Sequence, residues 1–157
     1  MINRYSGLSR RDAIILTGFL VVGTVSSVHP ASETISVLKT SGCGCCLMWV
    51  KRMKEAGFKV EARNVSMGEL MKFKLDAGLK VEQASCHTGK ISGYIIEGHV
   101  PAREIHQLLA DRPDAIGLAV PGMPVGSPGM ESGKNVDPFD VLLVRKDGST
   151  EAFARYG

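Results

Sequence analysis

The sequence predicts a single α/β domain that opens on a parallel strand pair and closes on an antiparallel hairpin. Three observations carry this reading. A strand-helix-strand order follows the first thirty residues, and such an order implies two parallel strands joined by a crossover helix. Two β-type runs flank Asp147-Gly148 near the end, the turn chemistry of a hairpin. A chain of 157 residues is enough for one domain and too short for two of ordinary size. With 44% hydrophobic and 22% charged residues, disorder, collagen-like repeats and coiled coil are excluded as the main architecture.

Residues 1–31 read as an address rather than as fold. Arg4, Arg10 and Arg11 precede the apolar run Ala13–Val25, and the small residues Ser26, Ser27 and Ala31 follow it. That is the layout of a secretory signal, and the run is short of the ~20 residues a membrane span needs. Ser9-Arg10-Arg11 also resembles a twin-arginine export signal. The expectation is a Sec or twin-arginine signal over residues 1–31, a periplasmic domain over 32–157, and membrane attachment only if the signal is not cleaved. Setting aside Arg4, Arg10, Arg11 and Asp12 reduces the 19 basic and 16 acidic residues to 16 and 15. A balance so near neutrality gives no footprint for nucleic acid.

Ile35–Lys39 is a β-type run that stops at Thr40-Ser41-Gly42. From Cys45 to Ala56, Leu47, Val50 and Met53 follow helical spacing, and Gly57 stops the helix. Phe58–Arg63 alternates apolar and polar residues and predicts a strand with one buried face. Ser66-Met67-Gly68-Glu69 is a capping box opening a helix that ends at Gly78. Gly93–Glu97 is a further strand, and Pro101 begins a helix to Asp111 with Ile105, Leu108 and Leu109 on one face. Residues 117–138 predict a loop of fixed shape, because six Pro and Gly residues fall within Pro121–Gly129. Phe139–Arg145 and Thr150–Arg155 make the closing hairpin. Cysteines where the first strand hands over to the first helix resemble the layout of a thioredoxin-like fold, here with residues ~80–120 as an inserted strand-helix segment and the hairpin as a C-terminal addition.

The chemistry is sulfur in one place. Cys43-Gly44-Cys45-Cys46 sets three of the four cysteines at a helix start, where partial positive charge and free N–H groups stabilise thiolates. Cys43 and Cys46 form a C-x-x-C pair, which points to dithiol exchange. Cys45 inside that pair serves no purpose in simple exchange, whereas three clustered thiolates suit a soft metal, Cu(I) above all. Cys86-His87 lies in the polar stretch Ser85–Gly89, where loops commonly carry function, and Cys86 would complete a sulfur-rich site; a small buried cysteine with a surface His87 is the alternative. Met123 and Met130 each follow Pro-Gly, and thioether suits Cu(I) outside the cytoplasm; packing over the core is the alternative. Met48, Met53, Met67 and Met71 read as core. His99, ahead of Val100-Pro101, offers an imidazole that serves Cu(II) as well as Cu(I), with a capping or surface role as the alternative. The chain has no P-loop, dinucleotide fingerprint or nucleophile elbow.

Cys43-Gly44-Cys45-Cys46 with Trp49, Ser85-Cys86-His87-Thr88, Gly93-Tyr94, Ile96–Pro101, Gly117–Pro124 and Gly126–Glu131 together resemble the CopG-type copper-resistance proteins. The resemblance covers residues 33–157. It implies a thioredoxin-like fold, a cysteine-bridged cluster of several copper ions on Cys43, Cys45, Cys46 and Cys86, and a role in copper tolerance by interconverting Cu(I) and Cu(II). His99, Met123 and Met130 are further candidate ligands. Expected partners are copper ions and other periplasmic copper-handling proteins. Two other readings stay open: a thiol–disulfide oxidoreductase using Cys43 and Cys46, and a Cu(I) chaperone without redox activity. Whether the chain is an enzyme, a copper oxidoreductase, is left undecided by its residues.

Overall fold

A computed structural model describes residues 33–157, so the expected signal over residues 1–31 lies outside the described residues. The elements in order are strand β1 (Thr34–Lys39), helix α1 (Gly44–Glu55), β2 (Lys59–Asn64), α2 (Met67–Asp76), a short 3-10 turn at Val81–Gln83, β3 (His87–Ile91), β4 (Tyr94–Gly98), α3 (Ala102–Asp111), β5 (Gly117–Val120), β6 (Phe139–Val144) and β7 (Thr150–Tyr156). The seven strands form one sheet in the order β2-β1-β3-β4-β5-β6-β7. The pairs β1–β2 and β4–β5 are parallel, and the other four are antiparallel.

Alternation along the strands sorts the side chains to two faces. Ile35, Val37, Ile96, Leu118, Val120, Val141 and Leu143 point to one face and pack with Trp49, Val50 and Met53 of α1 and Ile105 and Leu108 of α3. Ile95, Ala119 and Val144 point to the other, where Leu79 and the α2 side packs through Phe73 and Ala77. Strands β3 and β4 are buried along almost their whole length, being covered on both faces. Among the described residues no helix is long and apolar enough to cross a membrane.

Several expectations are corrected here. Residues 85–89 do not form a simple loop, because β3 begins at His87 and lies between β1 and β4. Gly117–Val120 is a strand rather than the start of a loop. Residues 80–120 thus supply three central strands, β3, β4 and β5, with α3 between the last two. Strand β2 sits at the sheet edge and is exposed along most of its length, its Lys59, Glu61 and Arg63 being the charges that discourage edge-to-edge pairing. The Ser66 hydroxyl caps α2 by accepting from Glu69 N, but the Glu69 carboxylate turns to Arg63 instead of closing the box. Pro101 is the cap of α3 rather than its first residue. Met53 is core, whereas Met48 and Met67 are exposed.

Candidate metal centre

Strand β1 ends at Lys39, and the turn through Gly42 delivers Cys43 to the cap of α1. No side chain caps that helix start, so its first N–H groups are free to face the sulfurs. Cys86 arrives from the far side, directly ahead of β3. The Sγ atoms of Cys43, Cys45, Cys46 and Cys86 all lie within 4.8 Å of one another. Cys43 and Cys46 are joined as a disulfide, and Cys45 and Cys86 are free thiols. Cys86 Sγ is 3.7 Å from Cys45 Sγ and 3.5 Å from Cys46 Sγ. Burial, and then Cys45 beside it, push the Cys86 thiol up to about 12. In the metal-free chain Cys86 therefore holds its proton, and a metal must displace it.

Both histidines of this region are fully buried, which removes the surface alternative for His87 and for His99. The Cys86 sulfur is 3.1 Å from His99 Nε2 and 3.4 Å from His87 Nδ1. His99 Nδ1 donates to the Pro128 carbonyl at 2.8 Å, which leaves the Nε2 lone pair directed at the sulfur. Burial holds both imidazoles neutral, and for His87 the neighbouring His99, Lys74 and Lys39 add to the effect. Cys86, His87 and His99 make a second group whose donor atoms all lie within 4.8 Å. Trp49 ties the parts together: its ring lies against His87, and its Nε1 donates to Val100 O at 2.9 Å.

Behind the sulfurs stands a buried ionic group. Glu97 accepts from Ser85 N at 2.6 Å and from Thr88 Oγ1 at 2.6 Å, so its carboxylate brackets Cys86 and His87. Lys74 of α2 pairs with Glu97 and also donates to Thr88 Oγ1 at 2.7 Å. Burial pushes the Glu97 carboxyl up, against the pull of Lys74, Thr88 and Ser85. Three donors converge on it and it donates to none, the pattern of an ionised carboxylate. Gly98 beside it has φ +72, and a Cβ there would stand 2.5 Å from Ser85 Cβ; only glycine allows this approach.

The loop after β5 straps across the centre. Gly122 N donates to Ala84 O, Ser85 Oγ donates to Gly122 O, and Pro128 O holds His99. Gly129, at φ +88, lies so close to α1 that a Cβ would sit 2.6 Å from Trp49 N and 2.8 Å from Cys45 O. Glu131 pairs with Arg52 of α1 and accepts from Gly129 N. Met130 is half-buried within this strap, next to the Gly129 contact, and Met123 is 53% exposed. The four cysteines and His99 are thus brought together, Met130 lies in the adjoining strap, and Met123 is exposed. Sequence reasoning missed His87, Glu97 and Lys74; the adjacency of His87 to Cys86 was the one signal available.

A family model described as a protein of unknown function, DUF411, matches residues 83–130. No curated protein sequence matches the chain. Two solved structures do. The copper resistance protein CopG, form 2, is 42% identical with a TM-score of 0.74, covering 80% of this chain and 98% of that one. Form 1 is 41% identical with a TM-score of 0.74, covering 78% and 96%. With that identity running over nearly the whole of the solved chains, the protein belongs to the CopG family of copper resistance proteins.

Proposed function

We propose that the chain is a periplasmic copper-binding protein of copper resistance. It holds several copper ions bridged by Cys43, Cys45, Cys46 and Cys86 and interconverts Cu(I) and Cu(II). The observation that carries this is the convergence of four sulfurs from two separate segments within 4.8 Å. Thiolates select Cu(I) and can bridge more than one ion, so the donor set fits copper. The name of the solved relatives points the same way. The order β2-β1-β3-β4, with helices after β1, β2 and β4, supports the thioredoxin-like reading of the first part of the chain, with β5–β7 as an extension. His99 and Met130 are proposed as further ligands, Met123 as a ligand that the strap must bring in. The closed Cys43–Cys46 bond sets a requirement: two electrons and two protons must restore both thiols before all four sulfurs bind.

That same disulfide favours a second reading, a thiol–disulfide oxidoreductase acting through Cys43 and Cys46. Cys45→Ser separates the two. A copper centre loses copper stoichiometry in this variant. A dithiol enzyme keeps full reduction of a disulfide substrate such as insulin, and retained copper loading together with strong reductase activity would favour it.

A further inference from the structure

The two donor groups share only Cys86. Closing the Cys43–Cys46 bond removes two of the four sulfurs from the first group and nothing from the second. We propose that Cys86, His87 and His99 form a separate site, one thiolate and two imidazoles, that holds a single Cu(II) ion while the Cys43–Cys46 disulfide is closed. The proposal rests on the copper reading above and assigns the oxidation states to different ligands within it.

Geometry supports the assignment. An ion about 2.3 Å from sulfur and about 2.0 Å from nitrogen sets those donors roughly 3.1–3.4 Å apart at bond angles of about 90–105°. Cys86 Sγ stands 3.1 Å from His99 Nε2 and 3.4 Å from His87 Nδ1. The two rings meet edge to face with centroids 5.0 Å apart, so their nitrogens approach the sulfur from different directions. The Pro128 carbonyl fixes the His99 proton on Nδ1 and frees Nε2.

His87 supplies the second argument. It is fully buried, and its Nε2 has no hydrogen-bond partner. No partner fixes the protonation of Nε2, so the neutral ring can carry its proton there and present the Nδ1 lone pair beside the Cys86 sulfur. Its sulfur-facing nitrogen makes no other contact with a protein donor or acceptor among the described residues. Chemistry decides the ion: two imidazoles and one thiolate suit Cu(II), whereas four sulfurs suit Cu(I). Closing or opening one disulfide would then select which oxidation state the centre holds.

The test uses the disulfide form of Cys45→Ser, so that the second free thiol does not reduce the ion, and of the wild type, both carrying nitrogen-15 only in histidine. Each is loaded with one equivalent of Cu(II). Pulsed electron paramagnetic resonance should show two histidine nitrogens on the copper, with a thiolate-to-copper absorption band that Cys86→Ser abolishes. His87→Gln and His99→Gln should each leave one nitrogen. One histidine or none in the labelled Cys45→Ser chain, its fold confirmed by a melt matching the wild type, or no thiolate band, overturns the proposal. A parallel Cu(I) titration of the reduced wild type keeps the two readings apart. Normal Cu(I) uptake without the two-histidine Cu(II) signal overturns this site and leaves the sulfur cluster standing. Failure of Cu(I) uptake overturns the cluster reading itself.

Discussion

Replacing Lys74 by Met tests whether the buried ionic group holds the Cys86 segment. The ammonium is 2% exposed and the Glu97 carboxylate fully buried. The substitution keeps a long apolar stem and removes the only cation paired with that carboxylate among the described residues, together with a donor to Thr88 Oγ1. Breaking a buried pair from one side costs about 3–5 kcal/mol, because the partner's charge stays buried. Against the ~5–15 kcal/mol of an ordinary domain, that is a large share. The loss also depends on pH. Burial already raises Glu97, and without Lys74 its folded value rises further above the unfolded one. A raised carboxyl stabilises the fold below the unfolded value and loses that contribution as pH rises through the folded one. Lys74→Met should therefore be nearest to wild type in acid and weakest at neutral pH. Adding Glu97→Gln removes the stranded charge while keeping an acceptor for Ser85 N, so the double variant should recover to within about 1–2 kcal/mol of wild type. The assay is denaturant unfolding of the metal-free disulfide form at several pH values. A Lys74→Met chain within ~0.5 kcal/mol of wild type, or a double variant no better than the single, would refute the reasoning.

Gly129→Ala should lift the strap from α1, since the new Cβ meets backbone atoms at 2.6 and 2.8 Å in a left-handed conformation; a cost of about 1–3 kcal/mol and weaker copper binding are expected, read by melting and chelator competition. Met123→Leu and Met130→Leu conserve volume and should cost less than ~1.5 kcal/mol, while each weakens Cu(I) binding in competition with a chelator; unchanged affinity in both returns them to packing. Because burial is the first cause that pushes the Cys86 thiol up, its alkylation in metal-free Cys45→Ser, which lacks the further push from Cys45, should still have its midpoint above pH 9, and the stability the thiol contributes below pH 9 should fade as pH climbs through that midpoint. A reactivity midpoint near pH 9 would contradict this.

Legibility in the sequence followed periodicity. Helices α1, α2 and α3 were readable because each has an apolar stripe and a stop at Gly57, Gly78 or Pro113. The β6–β7 hairpin was readable from Asp147-Gly148. Strands β3 and β5 were not, since both are short, buried on both faces and lack alternation: His-Thr-Gly-Lys-Ile carries polar residues inward, and Gly-Leu-Ala-Val runs into a Pro-rich loop. The sulfurs announced themselves by crowding. His87, Glu97 and Lys74 did not, because a histidine or an ion pair becomes buried only when β3 is laid between β1 and β4 and α2 closes over it. The strap's stiffness was visible in its prolines, but its grip on α1 through Gly129 and on His99 through Pro128 is tertiary.

The central claim is that four cysteine sulfurs hold a copper cluster. Its most direct measurement is a titration of the fully reduced chain with Cu(I) under anaerobic conditions, Zn(II) being present as competitor, followed by metal analysis. The account predicts more than one Cu(I) per chain, thiolate-to-copper absorption and displacement of zinc by copper. One copper ion per chain, or retention of zinc against Cu(I), would contradict it.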